Sequence, residues 1–168
     1  KAGVKIKEIY LGLGGDLIEI RKNCSTIPLV DRGSKVITPM DLKKVNTQAR
    51  LLGIKMDEEV IHDFPQMYSV DDMNQALNPL GLYGRKLEVE TLLVIAYGAR
   101  IRNIMKAVQQ AGFEVRDTYF TSYAASEVIL SPQDRQEGCI LIDIGSLATS
   151  ILIFKDGILK FVSKIPWG

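Results

Sequence analysis

A chain of 168 residues with a net charge of +1, 46% hydrophobic and 24% charged, can bury a core and is neither disordered nor coiled-coil in composition. That charge balance leaves no electrostatic footprint for nucleic acid, and no apolar run approaches the roughly 20 residues that cross a bilayer. Lys1 to Tyr10 alternates charged and apolar residues, unlike a signal peptide. Cys24, Cys139 and the single histidine, His62, fit no metal-ligand spacing, and both thiols are expected to be buried in a reducing cytoplasm.

Lys5 to Leu13 alternates loosely and predicts a strand. Gly14-Gly15 reads as a hairpin turn into a second strand, Leu17 to Ile20, continuing towards Leu29. The string Gly12-x-Gly14-Gly15 lacks the following helix that a dinucleotide loop requires. Thr38-Pro39-Met40-Asp41 then opens a helix: Thr38 can cap, Pro39 suits the first position and Asp41 complements the helix dipole. Leu42, Val45, Ala49 and Leu52 share one face, and Gly53 supplies the stop.

Two strand-like runs follow within Ile61 to Thr91, around a polar loop carrying Asn78-Pro79, Gly81 and Gly84. Pro65 cannot donate to a ladder, which places it at an edge or a bulge. His62, Phe64 and Tyr68 fall on one face by strict alternation, expected to pack on the helices. Leu87 to Tyr97 begins by alternating and ends almost wholly apolar, as a strand entering a core should. Ala99 to Ala111 is a second amphipathic helix with Ile101, Ile104, Met105 and Val108 inward and Gly112 at its end. Its Arg100, Arg102 and Lys106, with Arg85 and Lys86 expected nearby, read as solvated surface.

Val115 to Thr121 predicts a strand and Ser122 to Leu130 a short helix, joined by the polar connector Ser131 to Asp134 to three strands. These are Cys139 to Ile144, Ser150 to Lys155 and Ile158 to Ile165, with Asp156-Gly157 as a two-residue hairpin turn. A chain that stops just after a strand is expected to be part of a longer one. Open strands at both ends predict a homodimer or strand exchange. The chemical candidate is Asp143, delivered by an apolar strand to a glycine-containing turn. Such a turn can aim amides at a phosphate, and the carboxylate can hold Mg²⁺ through water.

The string His62-x-x-Pro65-Gln66-x-Tyr68-x-Val70-Asp71, then Asn78-Pro79-x-Gly81-x-x-Gly84, then Leu87-Glu88, resembles the FtsA family of bacterial cell-division proteins, which are actin-like ATPases. Phe113-Glu114-Val115, Ala124-Ala125-Ser126 and Val128-Ile129-Leu130 extend the resemblance downstream. It implies an α+β fold: a partial actin-like (ribonuclease H-like) core with an inserted strand-helix-strand-strand-helix subdomain of the SHS2 type. Residues 1–34 would be core strands, 35–112 the insertion and 113–168 core again, ending in a phosphate-loop hairpin.

The resemblance further implies ATP and Mg²⁺ in the full-length protein, with Asp143, Gly145, Ser146 and Thr149 at the nucleotide and Asp143 at the metal. The family pattern there is Asp-x-Gly-Gly-Gly-Thr-x-Asp; here Ser146, Leu147, Ala148 and Ser150 stand in place of two glycines, the threonine and the last aspartate. Implied partners are FtsZ, other divisome proteins and neighbouring FtsA protomers. The implied location is the cytoplasmic face of the cell membrane at the division site, reached through a C-terminal amphipathic helix outside this chain. Protein–protein contact without ATP turnover is the function expected of these residues. The alternatives are an actin-fold ATPase or kinase using Asp143, and a type IV pilus scaffold like PilM.

Overall fold

The computed structural model describes residues 3, 5–72 and 74–168. Its elements begin with β1 (Glu8–Leu13), a 3₁₀ turn at Gly15–Leu17, β2 (Ile18–Pro28), β3 (Lys35–Val36) and α1 (Pro39–Leu52). β4 (Glu58–Val70), β5 (Asn74–Ala76), β6 (Tyr83–Gly84), β7 (Lys86–Tyr97) and α2 (Gly98–Gln110) follow. The chain then runs through β8 (Glu114–Phe120), α3 (Thr121–Ile129), α4 (Pro132–Glu137), β9 (Cys139–Ile144), β10 (Thr149–Lys155) and β11 (Ile158–Ile165).

β7 organises the packing. It lies between β2 and β4 in an antiparallel sheet of order β2-β7-β4-β5. Leu87 and Val89 pack with Val45 and Ala49 of α1, and Leu93 sits against Gly53 just past that helix. Leu92, Val94 and Ala96 point the opposite way and join Leu141, Leu152, Leu159 and Val162 of the sheet β11-β10-β9. At its start β7 has one solvated face, carrying Glu88 and Glu90, which is why its sequence alternates there and turns wholly apolar afterwards. Each fully buried aliphatic side chain contributes about 1.5–3 kcal/mol.

Local chemistry sets the ends of α1. Asp41 accepts hydrogen bonds from the Thr38 amide (3.0 Å) and hydroxyl (2.7 Å) and from Lys35 (2.8 Å). Burial alone would raise the Asp41 pKa; the Lys35 and Thr38 hydrogen bonds outweigh it and bring it down to about 2. Leu52, expected on the inner face, is 68% exposed because the helix has turned past its contact by the last residue.

Several expectations are corrected. Gly14-Gly15 is not a hairpin turn: β1 pairs in parallel with β8, while β2 pairs along its length with β7. The 3₁₀ turn, with Gly15 at φ +59°, carries the chain from one sheet to the other. β2 therefore shares the sheet of the block that was expected to begin at residue 35. His62, Phe64 and Tyr68 do not share a face. Register shifts between Val60 and His62 and between Pro65 and Met67 insert bulges, and a one-residue slip reverses every later side chain. His62 and Phe64 meet β8 and α3, while Tyr68 faces α1 and exchanges hydrogen bonds with Asn46. Pro65 lies beside the second bulge, where a missing donor costs little.

Ser131 to Asp134, read as a connector, opens the short helix α4 through reciprocal Ser131 and Asp134 hydrogen bonds. Arg85 and Lys86 are not near Arg100: the whole of β7 separates them, about 35 Å at its rise per residue. Cys24 is exposed rather than buried, and Cys139 is half-buried. No described helix is long and apolar enough to cross a membrane.

Candidate functional site

Leu141 of β9 lies in the core, so Asp143, two residues on, emerges on the same side of the sheet at its end. The ladder then sets Ser150 opposite Asp143 and Lys164 opposite Ser150, one row of polar side chains across three strands. The Gly145 N–H closes the following turn onto the Ala148 carbonyl at 3.0 Å. Asp143 Oδ2 accepts a 2.6 Å hydrogen bond from the hydroxyl of Ser122, a residue only 1% exposed at the start of α3. Lys164 Nζ donates to the carbonyls of Gly15 (2.7 Å) and Ile18 (3.0 Å). Ser122, Asp143, Gly145 and Ser150 border a cleft of about 300 Å³ lined also by Gly14, Gly15, Asp16, Thr121 and Ser146, among others, while Lys164 braces its Gly15 side.

Of the expected nucleotide residues, Asp143, Gly145 and Ser146 therefore share one cleft. Thr149 is outside the cleft wall; its hydroxyl donates to the Trp167 carbonyl at 2.7 Å. Sequence reading missed Gly14, Gly15, Ser122 and Lys164. An added Cβ at Gly14 would fall 2.5 Å from Thr121 Oγ1, so glycine lets the turn approach α3 without displacing that side chain. Ser122 and Lys164 carried no local signal, since Ser122 reaches the cleft through the packing of α3 and Lys164 reaches Gly15 through strand register.

The donor set fits Mg²⁺ and a phosphate in part. Asp143 can hold a hydrated cation, which needs few protein ligands. Lys164, which anchors two carbonyls, is not free to clamp a phosphate, and no described group of three or more His, Cys, Asp or Glu side chains is placed to hold a metal. The lining of the cleft carries two carboxylates, Asp16 and Asp143, and no aromatic side chain on which a base could stack.

Beneath the cleft, a seam joins β4 to the elements after α2. His62 Nε2 accepts the Phe120 N–H at 3.1 Å, and its ring lies among Phe64, Tyr119 and Tyr123 at centroid distances of 5.3–5.9 Å. Burial pushes the His62 pKa down, against the opposing pull of Asp117 and Asp63. This is a packed histidine, as the sequence suggests, and it has no catalytic geometry. Gln66, at the second bulge, is 7% exposed and donates to the Leu159 carbonyl of β11 at 2.7 Å.

Comparison with known proteins places these features. Residues 15–95 match the family model described as the SHS2 domain inserted in FtsA. That span begins before β2 and takes in α1 and the sheet β2-β7-β4-β5 as far as Ile95 of β7. The chain is 34% identical to cell division protein FtsA of Enterococcus hirae over 97% of its residues and 37% of that protein. It is 31% identical to cell division protein FtsA of Buchnera aphidicola, over 99% of the chain and 39% of the relative. Against the Escherichia coli K12 protein of the same name, identity is 27% over 99% and 39%. The chain thus spans about two fifths of the length of these curated relatives.

Among solved structures, the PilM-PilN type IV pilus biogenesis complex aligns with a TM-score of 0.64 at 14% identity, over 98% of this chain and 44% of that one. At that identity the likeness is one of fold, an actin-like architecture. Over nearly its whole length this chain is similar to FtsA cell division proteins, and its residues 15–95 match the SHS2 domain inserted in them.

Proposed function

We propose that this chain is the contact-making part of an FtsA-type division protein. The SHS2 unit docks neighbouring FtsA protomers and other divisome proteins. The full-length protein joins FtsZ to the inner face of the cell membrane at the division site. The observation that carries this reading is the family match at residues 15–95 within alignments spanning 97–99% of the chain. The strand pairing of β2 with β7 favours a unit that starts nearer residue 15 than residue 35, with residues 113–168 as the flanking core.

The test is a fluorescent fusion of this chain in dividing bacteria that retain their own FtsA. The expected result is a midcell band that disappears when the resident FtsA is depleted. Diffuse fluorescence in undepleted cells would overturn the reading.

Nucleotide belongs to this proposal only through the longer protein. There, Asp143 would hold the hydrated cation and the Gly145–Ser146 turn would face the phosphates. This chain by itself is expected to give no micromolar affinity for Mg-ATP and no hydrolysis, because Lys164 is tied to Gly15 and Ile18 and the cleft lining offers no aromatic side chain for a base. A calorimetric titration that returned such an affinity would favour the ATPase reading. Substituting Asp143→Asn in the full-length protein is then expected to lower ATP turnover sharply. The pilus reading has no support beyond a shared fold.

A further inference from the structure

α1 buries only part of its apolar surface. Val45 and Ala49 are fully covered, yet Met40 is 79% exposed and Leu51 65%, and Met56 just beyond the helix is fully exposed. Met40, Lys44, Thr47 and Leu51 are spaced four, three and four residues apart, so they form one stripe on the outward side. Lys43 and Leu52 flank it, and together they border a predominantly apolar groove of about 510 Å³.

The charges on that face have one sign. The only acid in α1, Asp41, is buried and already bonded to Lys35 and Thr38. Arg50 pairs with Asp63 at 3.6 Å, at the side of the helix. Lys43 and Lys44 have no carboxylate partner among the described residues and stand exposed beside the groove.

We propose that the outward face of α1 is a docking site for an acidic amphipathic peptide segment of a partner protein, with apolar side chains against Met40 and Leu51 and carboxylates on Lys43 and Lys44. Charge complementarity selects this occupant. A second copy docking through the same patch would set Lys43 and Lys44 against themselves, since a two-fold contact uses one surface twice. A bilayer surface suits a face with many cations, whereas this one offers two, Lys43 and Lys44. The assignment rests on the contact-making function proposed above and gives it an address.

The experiment is a ¹⁵N NMR titration of this chain with a short peptide carrying Leu at helical i, i+3/i+4, i+7 spacing and Glu elsewhere, alongside a control with Lys at every Glu position. Saturable shifts confined to residues 40–56 are expected with the acidic peptide, weakening as salt is added. Lys43→Glu with Lys44→Glu, or Leu51→Glu alone, should each weaken binding at least about tenfold. Lys106→Glu on α2 should leave it unchanged. All of these side chains are exposed, so an unchanged melting profile checks the fold.

Equal binding of the Lys peptide, shifts centred elsewhere, or no saturation would overturn the proposal. So would preferential binding to phosphatidylserine-containing vesicles, or a concentration-dependent mass increase abolished by Leu51→Glu. If peptide binding fails while the wild-type fusion still reaches midcell, only the α1 assignment falls. If the fusion fails to localise while the peptide still binds, the division reading falls and the groove stands.

Discussion

Glu58 has a side chain 1% exposed, and its carboxylate accepts from Arg21 at 2.7 and 2.9 Å and from the Lys55 amide at 2.8 Å. Those bonds, the Arg21 pair first, hold its pKa at about 2 against the desolvation that would raise it. Removing one partner of a buried pair leaves the other uncompensated. Glu58→Ala is therefore expected to cost about 3 kcal/mol, read as a lowered urea midpoint. The sign in acid follows from the depressed pKa. The stability Glu58 contributes is complete above the usual carboxylate pKa near 4.5 and is lost as pH falls from there towards 2. Denaturation midpoints taken across that window should fall in the wild type and fall less steeply in Glu58→Gln, where the depressed Asp41 still contributes.

His62 obeys the same logic in another window. Its Nε2 accepts the Phe120 N–H only when neutral, so its depressed pKa adds stability that is present above about 6.5 and lost as pH falls below it. His62→Phe keeps the ring but leaves the Phe120 amide without that acceptor, at a cost of about 1–2 kcal/mol. The pH 5–7 slope of the denaturation midpoint should flatten with it. A variant that retained the full slope would place the titration on another group. The packing role of His62 could be read from the sequence, because no catalytic partner stood at a telling spacing. Its hydrogen-bond partner could not, being 58 residues away.

At the scale of elements, the regular strands and the longer helices were legible because local rules govern them, whereas the six-residue α4 was too short to show a periodic pattern. α1 starts and stops at Thr38 and Gly53 as its caps require, and β9 and β11 span the ranges their apolar runs predict. The Asp156-Gly157 turn adopts φ +56° and +77°, the left-handed pair that a two-residue hairpin needs. Gly157→Ala should therefore cost about 1 kcal/mol in thermal or chemical denaturation. Bulges are another matter. Nothing local distinguishes Gln66 from an ordinary strand residue, but it re-aims Tyr68 and Val70 towards α1 while Phe64 remains on the opposite core. Deleting Gln66 would restore strict alternation and turn the buried Tyr68 and Val70 away from α1. Loss of a cooperative unfolding transition is the expected result, and an unchanged transition would show that the bulge is dispensable.

For the whole molecule, the outer face of the sheet β11-β10-β9 carries Ile140, Ile142 and Ile144 at 59–73% exposure, beside Phe161 and Ile165 at 46% and 42%. β9 is also an open edge of that sheet. A contiguous apolar face next to an unpaired edge lowers solubility. Ile142→Lys, which touches no core residue, should raise the concentration at which light scattering still reports a constant monomer mass. An unchanged threshold would locate self-association elsewhere.

The amino-acid order by itself determined the longer strands and helices, the caps of α1, the Asp156-Gly157 turn, the apolar grammar of β7 and the family resemblance carried by His62 to Glu88. All of these depend on contacts within a few residues, or on a linear pattern that can be matched without folding anything. Tertiary structure decided which strands pair, so that β1 lies beside β8 and β2 beside β7. It also decided which face each side chain takes after a bulge, and that Gly14 and Ser122 meet Asp143 at one cleft. Pairing between strands far apart in the chain is selected by the burial of whole faces at once. A sum over distant residues of that kind leaves no mark on any single stretch of sequence.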